Sequence, residues 1–131
     1  MLDSRGRTLT WPQLGTGVCA LLLLLAAGPA RADYKDNFKK GIDAYDRKRW
    51  DEVVRQMRNA IGENRNEGER IKLYGLRFEM YFPYFYLGAA YLNQGKCSEA
   101  VEASKISESQ GAIRTSPKYA ELVDGLKSCE G

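Results

Sequence analysis

Residues 84–101, YFYLGAAYLNQGKCSEAV, decide the fold of this chain. Their apolar side chains recur at helical spacing, and the small residues at 88–90 let a neighbouring helix approach closely. Gly95 then ends the first helix, and the segment 98–101 begins a second one. The stretch therefore predicts two helices that are joined by a tight turn.

A similar pair of helices is predicted upstream. Apolar residues recur at helical spacing over residues 36–46. Trp50 opens the next helix, followed by acidic residues that the helix dipole favours there, and Gly62 ends it. Near the C-terminus, Ser116 and Pro117 suit the N-cap and the first helical position of a final helix. The predicted fold class is all-α.

Residues 66–83, between the two pairs, form an extended aromatic insertion. Apolar and charged side chains alternate over much of 71–80, which favours extended chain. The segment is expected to be either a short hairpin bent at Gly75 or an irregular arm packed over the helices. Seven of the fourteen aromatic residues lie at positions 74–86, and such side chains either fill a core or anchor an interface. The candidates for a partner patch are Tyr74, Phe78, Tyr81 and Phe82.

The helix pairs resemble the tetratricopeptide repeat (TPR) family. The residues of the second pair that carry the resemblance are, in order, Tyr84, Leu87, Gly88, Tyr91 and Ala100. The first pair matches less closely, through Phe38, Gly41 and Ala44, and has Lys40 where leucine is usual. The resemblance implies two TPR-like helix-turn-helix pairs, with the insertion between them and the final helix as a C-terminal capping helix.

Two features depart from tandem TPR arrays. Gly41 and Gly88 are 47 residues apart in the sequence, whereas TPR units recur every ~34 residues. Ser104 stands where an aromatic residue is usual. In its overall arrangement the chain is similar to small exported bacterial TPR-like proteins, which join two helix pairs by a comparable segment.

In TPR modules the first helix of each pair lines a groove that accepts a peptide or a partner segment. The resemblance assigns seven residues to this groove: Phe38, Ile42, Tyr45, Phe85, Ala89, Leu92 and Asn93. This largely apolar set does not reproduce the lysine and asparagine clamp with which chaperone-binding TPR modules hold a carboxylate. It implies an apolar or extended ligand, unless these residues pack in the core instead.

Residues 1–32 have the pattern of a secretory signal peptide. Basic residues precede an apolar run at 18–27, and small residues that suit cleavage follow it. The alternative, a membrane anchor, needs roughly 20 apolar residues, so no membrane span is expected after cleavage. The signal holds three of the 20 basic and one of the 17 acidic side chains, which leaves the TPR-like domain, residues 33–131, a net charge of +1. This charge gives no support for nucleic-acid binding.

The domain that remains after cleavage has two cysteines, Cys97 and Cys129. An even number of cysteines in an exported protein favours a disulfide, and two buried free thiols are the alternative. A bridge would clamp the capping helix to the second helix pair.

The sequence offers little to an active site. It has no histidine, the commonest general base and metal ligand, and no Cys-x-x-Cys pair for zinc. The polar loop between Gly62 and Gly68 lacks the lysine pattern of a P-loop. We therefore expect no metal, no cofactor and no enzymatic activity.

These features predict a bacterial protein that is exported to the periplasm or secreted, and that acts as a non-catalytic protein–protein interaction module. Its partner is expected to be a peptide or protein segment in the TPR-like groove. The alternative is a structural subunit of a cell-envelope complex, anchored through the aromatic insertion. Two TPR units are fewer than arrays usually need, so either the cap, insertion and disulfide or a homo-oligomer is expected to supply the missing burial.

Overall fold

The computed structural model describes residues 33–130, and it is mostly helical. The helices are α1 (Tyr34–Asp46), α2 (Trp50–Glu63), α3 (Pro83–Asn93), α4 (Cys97–Gln110) and α5 (Lys118–Ser128). Two strands, β1 (Arg70–Tyr74) and β2 (Arg77–Met80), lie between α2 and α3, and a 3₁₀ turn (Ala112–Thr115) precedes α5. The all-α prediction holds for the helices, but the insertion adds a small sheet. The predicted signal peptide, residues 1–32, lies outside the described residues.

Two helical hairpins, α1–α2 and α3–α4, repeat each other along the chain. The bounds of α2 and α4 differ by 47 residues at both ends, and α1 and α3 also end 47 residues apart. In each hairpin a glycine of the first helix lies against the second helix. A Cβ at Gly41 would lie 2.6 Å from Cε of Met57, and one at Gly88 would lie 2.5 Å from Oγ of Ser104. Glycine therefore permits the close approach of the helices in both hairpins.

The turns of the two hairpins have the same hydrogen bonds. After α1, the N–H groups of Lys48 and Arg49 donate to carbonyls in the last turn of the helix, at 3.0 and 2.9 Å. After α3, Gly95 and Lys96 make the equivalent bonds at the same distances. This is the Schellman motif, in which the residue after the cap adopts a left-handed conformation. Gly95 does so at φ 77°, whereas in the first hairpin Lys48 does so at φ 59°.

The insertion folds as a β-hairpin, which confirms the first of the two predicted alternatives. The strands pair antiparallel, with Arg70 opposite Met80 and Lys72 opposite Phe78. The two-residue turn begins at Gly75, whose φ of 56° is favourable for glycine because it has no Cβ. Alternate side chains of β1 point inward and are buried.

Tyr86 of α3 lies at the centre of the core. Its ring contacts Phe38 and Tyr45 of α1 edge-to-face, with centroids 5.8 and 5.0 Å apart, and its hydroxyl donates to Glu79 of β2 at 3.1 Å. Burial is the largest of the causes that raise the pKa of its phenol. The ring of Tyr81, just after β2, also packs edge-to-face on Phe38, with the ring centroids 5.0 Å apart. The first helix, the insertion and α3 thus share one core.

The described residues, 33–130, form one compact unit around this core. Its other buried apolar side chains include Ile42, Val53, Met57, Ile71, Leu73, Phe82, Phe85, Leu87, Ile113 and Leu122. They come from both hairpins, from β1, from the 3₁₀ turn and from α5, so all described elements except β2 contribute directly to the core.

Glu67, in the loop before β1, holds that loop against the second hairpin. Its carboxylate accepts the backbone N–H of Tyr84 at 2.8 Å, in the first turn of α3, and the hydroxyl of Ser107 on α4 at 2.6 Å. Burial raises the pKa of Glu67, although both hydrogen bonds oppose the shift. The residue at the N-cap of α3 supplies no side-chain bond, so Glu67 satisfies one of the N–H groups that a helix start leaves unpaired.

The final helix, α5, packs on both α3 and α4. The hydroxyl of Ser116 accepts the N–H of Lys118 at 3.2 Å, and Pro117 has helical dihedral angles, which matches the predicted start. Just after α5, Cys129 lies at disulfide-bonding distance from Cys97, with Cα atoms 5.5 Å apart. The predicted pairing is confirmed in this geometry, and it joins the end of the cap to the start of α4.

Replacing Lys48 by glycine is expected to stabilise the domain. A non-glycine residue in the left-handed region costs roughly 1 kcal/mol, and glycine removes that cost at the expense of some unfolded-state entropy. We expect the free energy of unfolding in urea to rise by about 0.5 kcal/mol. The matched variant Gly95→Lys, at the equivalent turn, should lower it by about 1 kcal/mol. A loss of stability in Lys48→Gly would contradict this view of the turn.

Removing the Cys97–Cys129 bridge is expected to lower the melting temperature while the helix content stays the same. Closing a loop across the separation of 32 residues stabilises a fold by about 3–4 kcal/mol in the chain-entropy model. For a domain of this size that corresponds to a shift of about 10 °C or more. Circular dichroism of the Cys97→Ser/Cys129→Ser variant measures both quantities. Reductant should bring the wild type down to the melting temperature of the variant, and no shift in either sample would refute the prediction.

Candidate functional site

A pocket with a volume of about 380 Å³ lies between α3, α4 and α5. Five of the seven predicted groove residues line it, namely Tyr45, Phe85, Ala89, Leu92 and Asn93. The rest of its wall comes from Gly88 of α3, from α4 and from the capping helix, and neither of these last two elements was predicted to contribute. Its volume lies in the range of pockets that bind small ligands or single side chains of a partner.

Glycines let the three helices pack closely along the wall of this pocket. Gly88 of α3 lies against Ser104 of α4, where a Cβ would be 2.5 Å from Oγ of the serine. On the opposite wall, a Cβ at Gly125 of α5 would be 3.2 Å from Cδ2 of Leu92. Glycine therefore sets the close approach of α4 and α5 to α3 beside the pocket.

The rim of the pocket is acidic. Glu121 and Asp124 of α5 are exposed there, and no lysine or arginine of the described residues lines the cavity. Burial first and the carboxylate of Glu121 second raise the pKa of the Tyr45 phenol, which also lines the pocket. Lys118 lies outside the lining, with Nζ 5.5 Å from the ring centre of Phe85. An apolar floor with an acidic rim suits a ligand that combines an apolar group with a positive charge.

The two other predicted groove residues, Phe38 and Ile42, belong to the core. Their exposed fractions are 0% and 2%. Tyr81 packs edge-to-face on Phe38, so the end of the insertion covers this part of α1. The expectation of an open groove along both first helices is therefore wrong for the first hairpin, because an aromatic ring occupies the space that a ligand would need.

The predicted partner patch divides between core and surface. Tyr81 and Phe82 are fully buried, which excludes them from contact with a partner in this structure. Tyr74 and Phe78 lie on the β-hairpin and are 56% and 41% exposed. The aromatic run thus has two roles: its later members build the core, and its earlier members remain in solvent.

Two exposed apolar residues of the hairpin were missed. Leu76, in the turn, is 91% exposed, and Met80 at the end of β2 is 37% exposed. The period-two alternation carried a signal for Met80, because side chains two positions apart share a face of a strand and Phe78 was already a candidate. No local signal distinguishes an exposed turn leucine from a buried one.

A second concavity, of about 440 Å³, lies between α2, α3 and α4. Its lining includes Tyr84, Leu87 and Tyr91 of α3, but none of the predicted groove residues. Arg58 on one side and Glu99 and Glu102 on the other give it charges of both signs. It provides a natural control surface for experiments on the first pocket.

Neither the metal-ligand pattern of the described residues nor a comparison with known proteins identifies the pocket. Within residues 33–130, no three histidine, cysteine, aspartate or glutamate side chains are grouped as metal ligands, and no helix is long and apolar enough to cross a membrane. We found no match to the chain among protein-family models, curated proteins or solved structures. The pocket is therefore interpreted from its own geometry and chemistry.

Proposed function

We propose that this chain is an exported, non-catalytic interaction module that binds a segment of a protein partner through two TPR-like helix pairs and their cap. The binding site is the pocket between α3, α4 and α5. One observation carries the proposal: side chains from separate parts of the chain converge on a single apolar cavity with an acidic rim. Concave apolar sites with a few polar groups are the usual places for ligand binding.

The repetition of the hairpins supports the TPR-like part of the proposal. Both hairpins pack through a glycine of the first helix, and both turn through the same left-handed position. Their second helices begin and end at equivalent positions. Stacked helical pairs of this kind are the units of repeat proteins, whose binding surfaces form between neighbouring units.

The proposed ligand is a short segment with one apolar side chain next to a lysine or arginine. Phe85 and Leu92 offer apolar contacts within the pocket, while Glu121 and Asp124 attract a cation at its rim. Asn93 is held at the rim by a hydrogen bond from its side-chain nitrogen to the carbonyl of Ala89, at 2.9 Å. A segment with a negative charge at the same point would be repelled by the two carboxylates.

Export is supported by the disulfide-bonding geometry of Cys97 and Cys129. Disulfides persist in oxidising compartments such as the bacterial periplasm, and they are rare in the cytosol. We therefore propose that the domain works in the periplasm or outside the cell, after removal of residues 1–32.

A second candidate function is that of a structural subunit in a cell-envelope complex. The observation that favours it is the exposure of Tyr74 and Phe78 on the hairpin, since exposed aromatic residues anchor many interfaces. In this case the hairpin would be the contact and the pocket would stay empty. The two proposals therefore assign function to different surfaces of the same domain.

Selection of peptides from a displayed random library tests the proposed function directly. The bait is the oxidised segment 33–131, with Ala89→Gln as the pocket-filling variant. We expect enriched peptides to share an apolar residue beside a lysine or arginine. Their affinity for Ala89→Gln should be lower by at least about tenfold, because the longer side chain occupies the cavity.

A pair of charge variants with matched controls then tests the acidic rim. Glu121→Gln/Asp124→Asn should weaken binding of the selected peptides by about two- to tenfold. Added salt should weaken binding to the wild type and so reduce the difference between the wild type and this variant. Glu99→Gln/Glu102→Gln removes two acidic residues beside the second concavity and should have no effect. Equal binding to Ala89→Gln and to the wild type would refute the proposal.

A further inference from the structure

The large apolar side chains that are exposed within residues 33–130 all lie on the β-hairpin. They are Tyr74, Leu76, Phe78 and Met80. Leu76 occupies the turn, so the most exposed of the four stands at the tip. The domain buries its other large apolar side chains at least in part, and exposed apolar clusters of this kind mark interaction sites.

The outer face of the hairpin is also basic. The strand register places Arg70 opposite Met80 and Lys72 opposite Phe78, so two cations share a face with two apolar side chains. The guanidinium of Arg70 lies over the ring of Phe78, with 4.1 Å from Cζ to the ring centre. Neither Arg70 nor Lys72 forms an ion pair with a described residue.

Glu69, just before β1, does not neutralise this face, because it pairs with Lys35 of α1 at 3.5 Å. The acidic residues of β2 and of the end of α1 do not neutralise it either. Glu79 points inward, where it accepts the hydroxyl of Tyr86 and lies 3.6 Å from a guanidinium nitrogen of Arg77. Asp46 at the end of α1 also pairs with Arg77, at 2.9 Å. The carboxylates of Glu79 and Asp46 therefore attach the hairpin to the helices. They neutralise Arg77, the third cation of the hairpin, and not Arg70 or Lys72.

We infer that this outer face, with its leucine tip, docks on the surface of an anionic lipid bilayer. An apolar tip beside two cations that form no ion pair within residues 33–130 is complementary to a layer in which hydrocarbon lies beneath negative headgroups. The tip is convex, whereas a peptide is normally received in a concave site. A second copy of the chain would bring the same two cations face to face, and charged side chains on a strand also oppose pairing between exposed edges.

The hairpin is held in a fixed orientation for such a contact. Ile71 and Leu73 are buried beneath β1, and Arg77 pairs with Asp46 of α1. Because these contacts already order the hairpin, less conformational entropy is lost when its tip binds. The lipid contact of the hairpin does not involve the peptide pocket, so the two surfaces can be occupied together.

Flotation with lipid vesicles tests this inference. The oxidised segment 33–131, whose described residues form one compact unit, is mixed with vesicles of equal parts phosphatidylglycerol and phosphatidylcholine, or of phosphatidylcholine alone. We expect the wild type to float with the anionic vesicles and not with the neutral ones. Arg70→Gln/Lys72→Gln should reduce binding by about thirtyfold, as expected for two basic residues at an anionic surface. Leu76→Asp should abolish binding.

Two controls separate docking through the hairpin from general charge attraction. Lys40→Gln/Lys105→Gln removes two exposed lysines from helices and should change binding by less than about twofold. Leu76→Trp provides a reporter at the tip, and its fluorescence should shift to shorter wavelength only with anionic vesicles.

Several outcomes would overturn the inference. These are wild-type binding to neither vesicle, retained binding in Leu76→Asp, and an equal loss of binding in the Lys40/Lys105 control. Concentration-dependent dimers that Leu76→Asp abolishes, without vesicle binding, would assign the hairpin to a second copy instead. A folded state is confirmed for each variant by circular dichroism, so that loss of binding is not loss of structure.

Discussion

The buried contacts of Tyr86 are the interaction on which the rest of the structure depends. Its ring touches Phe38 and Tyr45 of α1, and its hydroxyl donates to Glu79 of β2. The ammonium of Lys118 lies 5.2 Å from the ring centre, at the start of α5. Three elements besides α3, namely α1, β2 and α5, therefore meet at one side chain. The insertion and the cap pack around this aromatic centre and complete the core that the two helical hairpins share.

The helices were predictable because their signals are local, whereas the shape of the site was not. Gly95 is a local signal for the end of α3, because glycine favours the left-handed conformation that follows a helix. Lys48, which takes the same conformation in the first hairpin, gave no such signal. The alternation of apolar and charged side chains in the insertion was compatible with a hairpin or an irregular arm, because it does not show which elements pack against the segment. The burial of Phe38 depends on Tyr81, and the acidic wall of the pocket depends on how α5 crosses α3 at Gly125. Both are long-range contacts that periodicity cannot reveal.

The domain presents two surfaces of opposite character on one framework. The pocket is concave and acid-rimmed, and it is lined by the second hairpin, the cap and Tyr45 of α1. The β-hairpin is convex and basic, and its apolar tip stands in solvent. The cap contributes to the first surface and the insertion provides the second, so the two departures from a plain pair of helical repeats supply the proposed binding sites. The two proposed partners, a cationic segment in the pocket and an anionic surface at the hairpin, are chemically distinct and are assigned to different surfaces.

Photo-cross-linking in the cell that makes the protein tests the central claim, that a partner segment occupies the pocket. A benzophenone amino acid replaces Asn93 at the pocket rim, and matched samples carry it at Glu102 beside the second concavity or at Leu76 on the hairpin tip. We predict a discrete protein adduct from position 93 that position 102 does not give, and that Ala89→Gln diminishes. A protein adduct from position 76 or 102 with none from position 93 would contradict the claim and would move the partner to another surface.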